Sequence, residues 1–270
     1  MPPRLVSGAI VAFWLVMTAW LIEREVVPMM LADASPSYMP NFTDEIGTPT
    51  ILWFVERDGT RIGSATSRIM AGKGHTFEFH STFLFNEKVP LLRQVNSVDR
   101  LGEDGKIRGM KVAFHTDKLG TYELRGDVVD DVLEPVILVN GVETRLFEIG
   151  KIDMRSQGST VNTLTLVNRL RNLYEGQTWV SRRFDPFGNL RGQLIGADLL
   201  KSYAVPDLIA KVKIDSLHWH RKEVECFTIE YNEPGKDVIA RTWVRRRDGL
   251  VLQQELNLFG MSVVIHRAPE

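Results

Sequence analysis

From Thr50 to the end of the chain, apolar side chains recur at every second position. That period is the mark of strands with one face buried, and it constrains the fold more than any other feature of the sequence. Thr76–Phe85, TFEFHSTFLF, sets Phe77, Phe79 and Phe83 at strand spacing. Lys106–His115 alternates Ile107, Met110, Val112 and Phe114 with polar partners after one irregular step. Val132–Val139, then Asn140-Gly141, then Val142–Ile149 reads as a hairpin, because Asn-Gly supplies the positive φ angles of a tight turn. His218–Tyr231, Val238–Val244, Leu250–Leu258 and Met261–His266 read as further strands, and Gly72–Gly74 as a turn rather than a phosphate loop.

One segment breaks the rhythm. In Ser159–Leu173 the residues Leu164, Val167, Leu170 and Leu173 fall three apart, which predicts a short amphipathic helix with its stripe against the sheet. Ala197–Tyr203 predicts a second short helix. The expected fold is mainly β (α+β): a large curved antiparallel sheet, a half-barrel, with one or two covering helices.

The N-terminus predicts something different. Leu5–Ile22, LVSGAIVAFWLVMTAWLI, carries no charge, and with its flanks a helix of that length just spans a hydrocarbon core of about 30 Å. The expected organisation is a cytoplasmic tip at 1–4, a transmembrane anchor at 5–22, a linker at 23–49 and an exported β-rich domain at 50–270. Arg4 favours a cytoplasmic N-terminus. The expected location is therefore the inner membrane, single-pass, with the bulk of the chain on the periplasmic side. A cleaved signal peptide is the competing reading, since small residues occur at Ala32-Asp33-Ala34. With a net charge of −1 the chain has no basic field to attract nucleic acid, and one cysteine excludes an internal disulfide.

Two phrases repeat. WFVERDG occupies 53–59 and WVRRRDG occupies 243–249. Each enters Asp-Gly from a strand-like run and leaves into another, so both predict hairpins rather than a catalytic pair Asp58/Asp248. The opening Trp53, Asp58, Gly59, Arg61, Ile62, Gly63, the stretch YEGQTWVSRRFDPF at 174–187 and the closing CFTIEY…ARTWVRRRDGLVLQQEL resemble exported bacterial domains of uncharacterised function. Their pattern is similar to that of the lipoprotein-carrier (LolA/LppX-type) half-barrel. The resemblance covers about residues 50–267 and implies a curved sheet closed by helices over an apolar concave face.

Three functions follow as expectations. The first is a non-enzymatic, membrane-anchored domain that binds a lipid or other hydrophobic ligand in the concave face, lined by Phe77, Phe79, Phe83, Met110, Leu164 and Val167. The second is an envelope scaffold that binds a protein partner and has no ligand cavity. The third is a metal-dependent enzyme built on His218 and His220, two apart on one strand, with Cys226 or Glu223. Cys226 itself reads as a small buried hydrophobe. Arg245-Arg246-Arg247 reads as a solvated hairpin that could also meet lipid headgroups or an acidic partner. No cofactor is expected.

Overall fold

The computed structural model describes residues 4–22, 49–73, 76–86, 89, 92–103, 106–117, 120–144, 151–153, 160–162, 165–184, 207–258 and 261–269. One helix, α1 (Arg4–Leu21), precedes the strands. The first group comprises β1 (Ile51–Arg57), β2 (Thr60–Ala71), β3 (Phe77–Phe85), β4 (Leu92–Leu101), β5 (Ile107–Thr116), β6 (Gly120–Val129), β7 (Val132–Val139) and β8 (Val142–Glu143). The second comprises β9 (Ile152–Asp153), β10 (Thr160–Asn162), β11 (Thr178–Phe184), β12 (Asp207–Trp219), β13 (Lys222–Asn232), β14 (Val238–Arg245), β15 (Val251–Leu258) and β16 (Met261–Arg267).

All sixteen strands belong to one sheet, and nearly every strand pairs with its neighbour in sequence. Among the described residues the exceptions are the antiparallel pairing of β1 with β16, which joins the first strand to the last, and that of β7 with β9. The sheet is antiparallel apart from the short parallel pair β10–β11. Among the described residues it stays open between β8 and β9 on one side and β10 on the other. The result is a curved, barrel-like sheet, as the two-residue period predicts.

Its inner face follows from the register. Trp53, Ala65, Phe83, Val95, Phe114 and Tyr122 stand opposite one another on β1 through β6. Trp53, Phe83 and Val95 are fully buried, in one apolar cluster with Leu133 of β7, Trp179 of β11, Ile229 of β13 and Ile265 of β16. No helix packs on this face among the described residues, so the sheet covers it by wrapping around it. Burying so many large side chains, at about 2 kcal/mol each, is the main drive for the fold.

Several sequence expectations hold. Asn140 and Gly141 take φ values of 51° and 81° in the turn between β7 and β8. Gly72 opens the turn between β2 and β3, its N–H donating to the Thr76 carbonyl at 2.8 Å. Cys226 is buried, and burial pushes its thiol up to about 11, so it holds its proton and is no nucleophile.

The predicted helix over Ser159–Leu173 is corrected. Thr160–Asn162 is strand β10, and 165–173 is not helical: it carries one isolated antiparallel bridge, Arg169 to Leu250, and a bend at Asn172, whose φ is 60°. Burial there alternates: Leu166, Asn168 and Leu170 are buried, while Thr165, Val167 and Arg169 are less so. The three-residue spacing of the leucines misled because the inward set includes a polar residue, Asn168, whose partner lies a hundred residues away. Ala197–Tyr203, Leu164 and the linker at 23–48 lie outside the described residues.

The helix α1 forms where the sequence places it. Ile10, Phe13, Trp14 and Val16 are each more than half exposed, so no part of the sheet covers it. Its 18 residues reach about 27 Å, short of the roughly 30 Å of a hydrocarbon core. Among the described residues no helix is long and apolar enough to cross a membrane.

Candidate functional site: an internal strap on a serine lane

Ser67, Ser81 and Ser97 stand side by side on β2, β3 and β4, facing inward, and each is at most 2% exposed. Three small residues in a row leave a shallow lane between the large side chains on either side. The segment 165–173 enters it as a strap through Thr165, Leu166 and Asn168.

The contacts run in order across the sheet. The Thr165 hydroxyl donates to Asp99 Oδ2 of β4 at 2.5 Å. The Leu166 N–H points at Ser81 Oγ of β3 at 3.4 Å. Ser67 Oγ of β2 donates to Asn168 Oδ1 at 2.9 Å, and accepts from Trp53 Nε1 of β1 at 2.9 Å. Beyond Asn168 the strap reaches the other half of the sheet. The Val251 N–H donates to the Asn168 carbonyl at 3.0 Å, and the Leu170 N–H donates to the Gly249 carbonyl at 2.8 Å. The strap thus joins β1–β4 to the turn between β14 and β15, with the side chains of Thr165 and Asn168 hydrogen-bonded and Arg169 Nε buried without a partner.

The two Asp-Gly phrases now separate. In the first, Asp58 and Gly59 take φ values of 49° and 71° between the paired Arg57 and Thr60, a two-residue turn of the expected kind. In the second, only Gly249 has a positive φ, 73°, and Asp248 serves a different purpose. Asp248 accepts from Arg245 Nε at 2.9 Å and Nη2 at 2.7 Å, and from the Leu250 N–H at 3.3 Å. Burial works to raise its carboxyl, but the Arg245 guanidinium and the Leu250 N–H outweigh it and hold the group below the usual range. The tryptophans differ as well. Trp53 lies in the inner core, whereas Trp243 packs with Cys226, Leu217, Leu250 and Leu252 in a small cluster on the opposite face. One phrase serves two structures.

Because Arg245 is largely buried, with its guanidinium 6.0 Å from the Trp219 ring centre, it depends on Asp248. Replacing Asp248 with Ala should lower stability by about 2 kcal/mol, by leaving a half-buried cation unpaired. Asp58 is 88% exposed, so Asp58→Ala should change stability by less than about 0.5 kcal/mol. Denaturant midpoints of the two variants make the comparison.

The sequence-derived ligand residues fall as follows. Phe83 and Met110 belong to the main inner cluster, with Val167 packed against it. Phe79 is buried with Ile69 in a smaller cluster, and Phe77 packs on its margin. Sequence reasoning named the aromatics but missed the serines. The signal that could have found them is the repetition of Ser at inward positions of three consecutive strands.

The histidine pair is corrected. His218 is the penultimate residue of β12, but His220 sits in the turn with Arg221, at φ values of 47° and 64°, between the paired Trp219 and Lys222. The run read as one strand over His218–Tyr231 is thus broken by a turn at His220-Arg221, so the two histidines do not share a strand face. Among the described residues no group of three or more His, Cys, Asp or Glu side chains is arranged to hold a metal ion.

Another histidine is informative. On the outer face His266 Nε2 lies 3.5 Å from Glu56 Oε1, and its ring meets Phe54 edge-on at 5.7 Å, with the Arg61 guanidinium 4.0 Å from the Phe54 ring centre. Burial lowers its affinity for a proton; Glu56 opposes this, while His220 and Arg61 add to it, and the net shift is downward. The folded state therefore binds this proton more weakly than the unfolded chain. The stability it confers is complete above the ordinary histidine value of about 6.5 and is lost as pH falls below it. Thermal melts between about pH 7.5 and pH 5.5 should show a steeper loss for the natural protein than for His266→Gln. Equal slopes would show that the proton is bound equally in both states.

No protein-family profile matches the chain, and no curated protein matches it. Among solved structures the chain is similar to a β-barrel-like protein of a domain of unknown function, DUF1849, from Brucella abortus, at 10% identity and a TM-score of 0.44, over 81% of this chain and 95% of that one.

Proposed function

We propose that the chain is a membrane-anchored interaction domain, in which α1 enters a bilayer and the sheet presents its outer face to a protein partner, on the extracytoplasmic side of a bacterial inner membrane. The observation that carries this reading is the filled inner face. The place where a lipid or acyl ligand would lie is taken by the chain's own strap, with Leu166 and Leu170 buried in it. Phe79, Phe83 and Met110 act as core rather than as the lining of a cavity. The outer face offers apolar groups instead: Leu52 and Leu84 are 42% and 49% exposed, with Phe54 in the same cross-strand row as Leu84. The anchor rests on the all-round apolar exposure of α1, which a helix in water does not sustain.

The test is native mass spectrometry of the full chain, released from membranes in mild detergent. The expected result is a bare chain mass. One acyl ligand per chain, held until the sheet unfolds, would overturn the reading in favour of a lipid carrier. Alkaline carbonate should leave the full chain with the membrane. Release into the supernatant would remove the anchor from the proposal.

A further inference from the structure

Two hairpin ends stand together on this sheet. β12 and β13 meet at His220-Arg221, and β14 and β15 meet at 246–249. Arg246 of the second turn holds strand β13 as it leaves the first: its N–H donates to the Glu225 carbonyl at 3.2 Å and its guanidinium pairs with the Glu225 carboxylate at 3.2 Å, while the Arg245 guanidinium lies 6.0 Å from the ring centre of Trp219, the last residue before the first turn. Five cationic side chains gather there, Arg221, Lys222, Arg245, Arg246 and Arg247, against the carboxylates Glu223, Glu225 and Asp248. The carboxylates are engaged, Asp248 by Arg245, Glu225 by Arg246, and Glu223 by the Ser216 hydroxyl at 2.6 Å. Arg221 and Lys222 are exposed with no ion pair among the described residues, and Arg247 is 75% exposed with only a 3.5 Å contact to Asp248.

The strand directions place this cluster at a particular end. β14 runs toward its turn with β15, β15 runs away, and β16 runs back toward it. β1 is antiparallel to β16, so Ile51, where the chain arrives from the N-terminal helix, lies at the same end as the two basic turns. The exposed cations Arg221, Lys222 and Arg247 therefore lie at the end of the sheet where β1 begins.

We propose that the β12–β13 and β14–β15 turns form a basic rim that docks on anionic phospholipid headgroups. The proposal rests on the reading of α1 as a lipid-inserted helix. Each cation near an anionic surface strengthens association by about fivefold, and the attraction is screened by salt. The acidic turn Asp130-Asp131, between β6 and β7, lies at the same end but in a distant part of the sheet. An anionic surface repels it, so the docked domain tilts with the basic rim down.

The experiment reconstitutes the full chain in neutral phosphatidylcholine vesicles and in vesicles with about 30% phosphatidylglycerol, and follows backbone hydrogen exchange by mass spectrometry. The expected result is that exchange over 218–224 and 244–250 slows about fivefold or more on the anionic vesicles only, and that 128–133 is unchanged. The slowing should vanish at about 0.5 M salt and in the combined variant Arg221→Asn, Lys222→Ser, Arg247→Ser, which leaves the Arg245–Asp248 and Arg246–Glu225 pairs intact. Equal exchange on both vesicles, with the chain still carbonate-resistant, would overturn the rim and leave the anchor standing. Slowing that persists in the variant would also overturn it. Failure to associate with either vesicle would overturn the anchor and the rim together.

Discussion

Gly249→Ala is expected to lower stability by about 3 kcal/mol, whereas Gly59→Ala lowers it by about 1 kcal/mol. Both glycines follow an aspartate in a hairpin, and their φ values, 73° and 71°, are nearly the same. The backbone penalty of placing a side chain in the left-handed region, about 1 kcal/mol, is therefore common to both. The surroundings differ. A methyl group at Gly59 would meet nothing within 4 Å, but at Gly249 it would stand 2.4 Å from the Leu170 carbonyl oxygen of the strap. That oxygen belongs to backbone held in place by the Leu170 N–H bond to Gly249 itself, so it cannot swing aside. Either the strap lifts at its end or the turn distorts. Urea titrations of the two variants measure the difference directly. Equal losses would mean that the strap does not cross the turn.

Ser81→Leu is expected to lower stability by about 4 kcal/mol and to expose the strap to protease. Ser81 is 2% exposed, between Ser67 and Ser97, with the Leu166 N–H over its hydroxyl. A leucine there overfills the lane beneath the Leu166 backbone. Expelling the strap returns Leu166 and Leu170 to water, at about 2 kcal/mol each, and this is the source of the expected loss. Limited proteolysis distinguishes the routes. New cleavage within 165–173 means that the strap has left the lane. A comparable loss without such cleavage would place the strain in the sheet. Full stability would contradict the packing of strap on lane.

These effects show why the fold was more legible in the sequence than the site. The inward set of β3, with Phe79 and Phe83, stands out because a half-buried strand writes itself as a local alternation. The turns at Asp58-Gly59 and Asn140-Gly141 are equally local, since the need for a positive φ is met by the turn residues themselves. The strap has no local mark. Its inward residues include Asn168, and what makes an asparagine inward is a hydroxyl 101 residues earlier in the chain. The leucines around it happen to fall three apart, which is the period of a helix, while Thr165 and Val167 are β-branched and fit an extended chain better. Nor could the sequence tell the two Asp-Gly turns apart. What distinguishes Gly249 is the strap across it, and what distinguishes Asp248 is the buried Arg245. Phe79 and Phe83 are buried on the inward side of β3, but whether an inward face encloses a cavity or a packed core depends on what lies over it.

The central claim is that the chain fills its own concave face with residues 165–173. The most direct test is hydrogen exchange of the full-length protein across that segment. The Leu170 amide is bonded to a carbonyl and buried, and Val251 reports the reciprocal contact with Asn168. The account predicts that both amides exchange as slowly as the inward positions of β2 and β3, opening only when the sheet opens. Exchange of Leu170 within seconds, as in a solvated loop, while β2 and β3 remain protected, would contradict it and would return the concave face to the candidates for a ligand site.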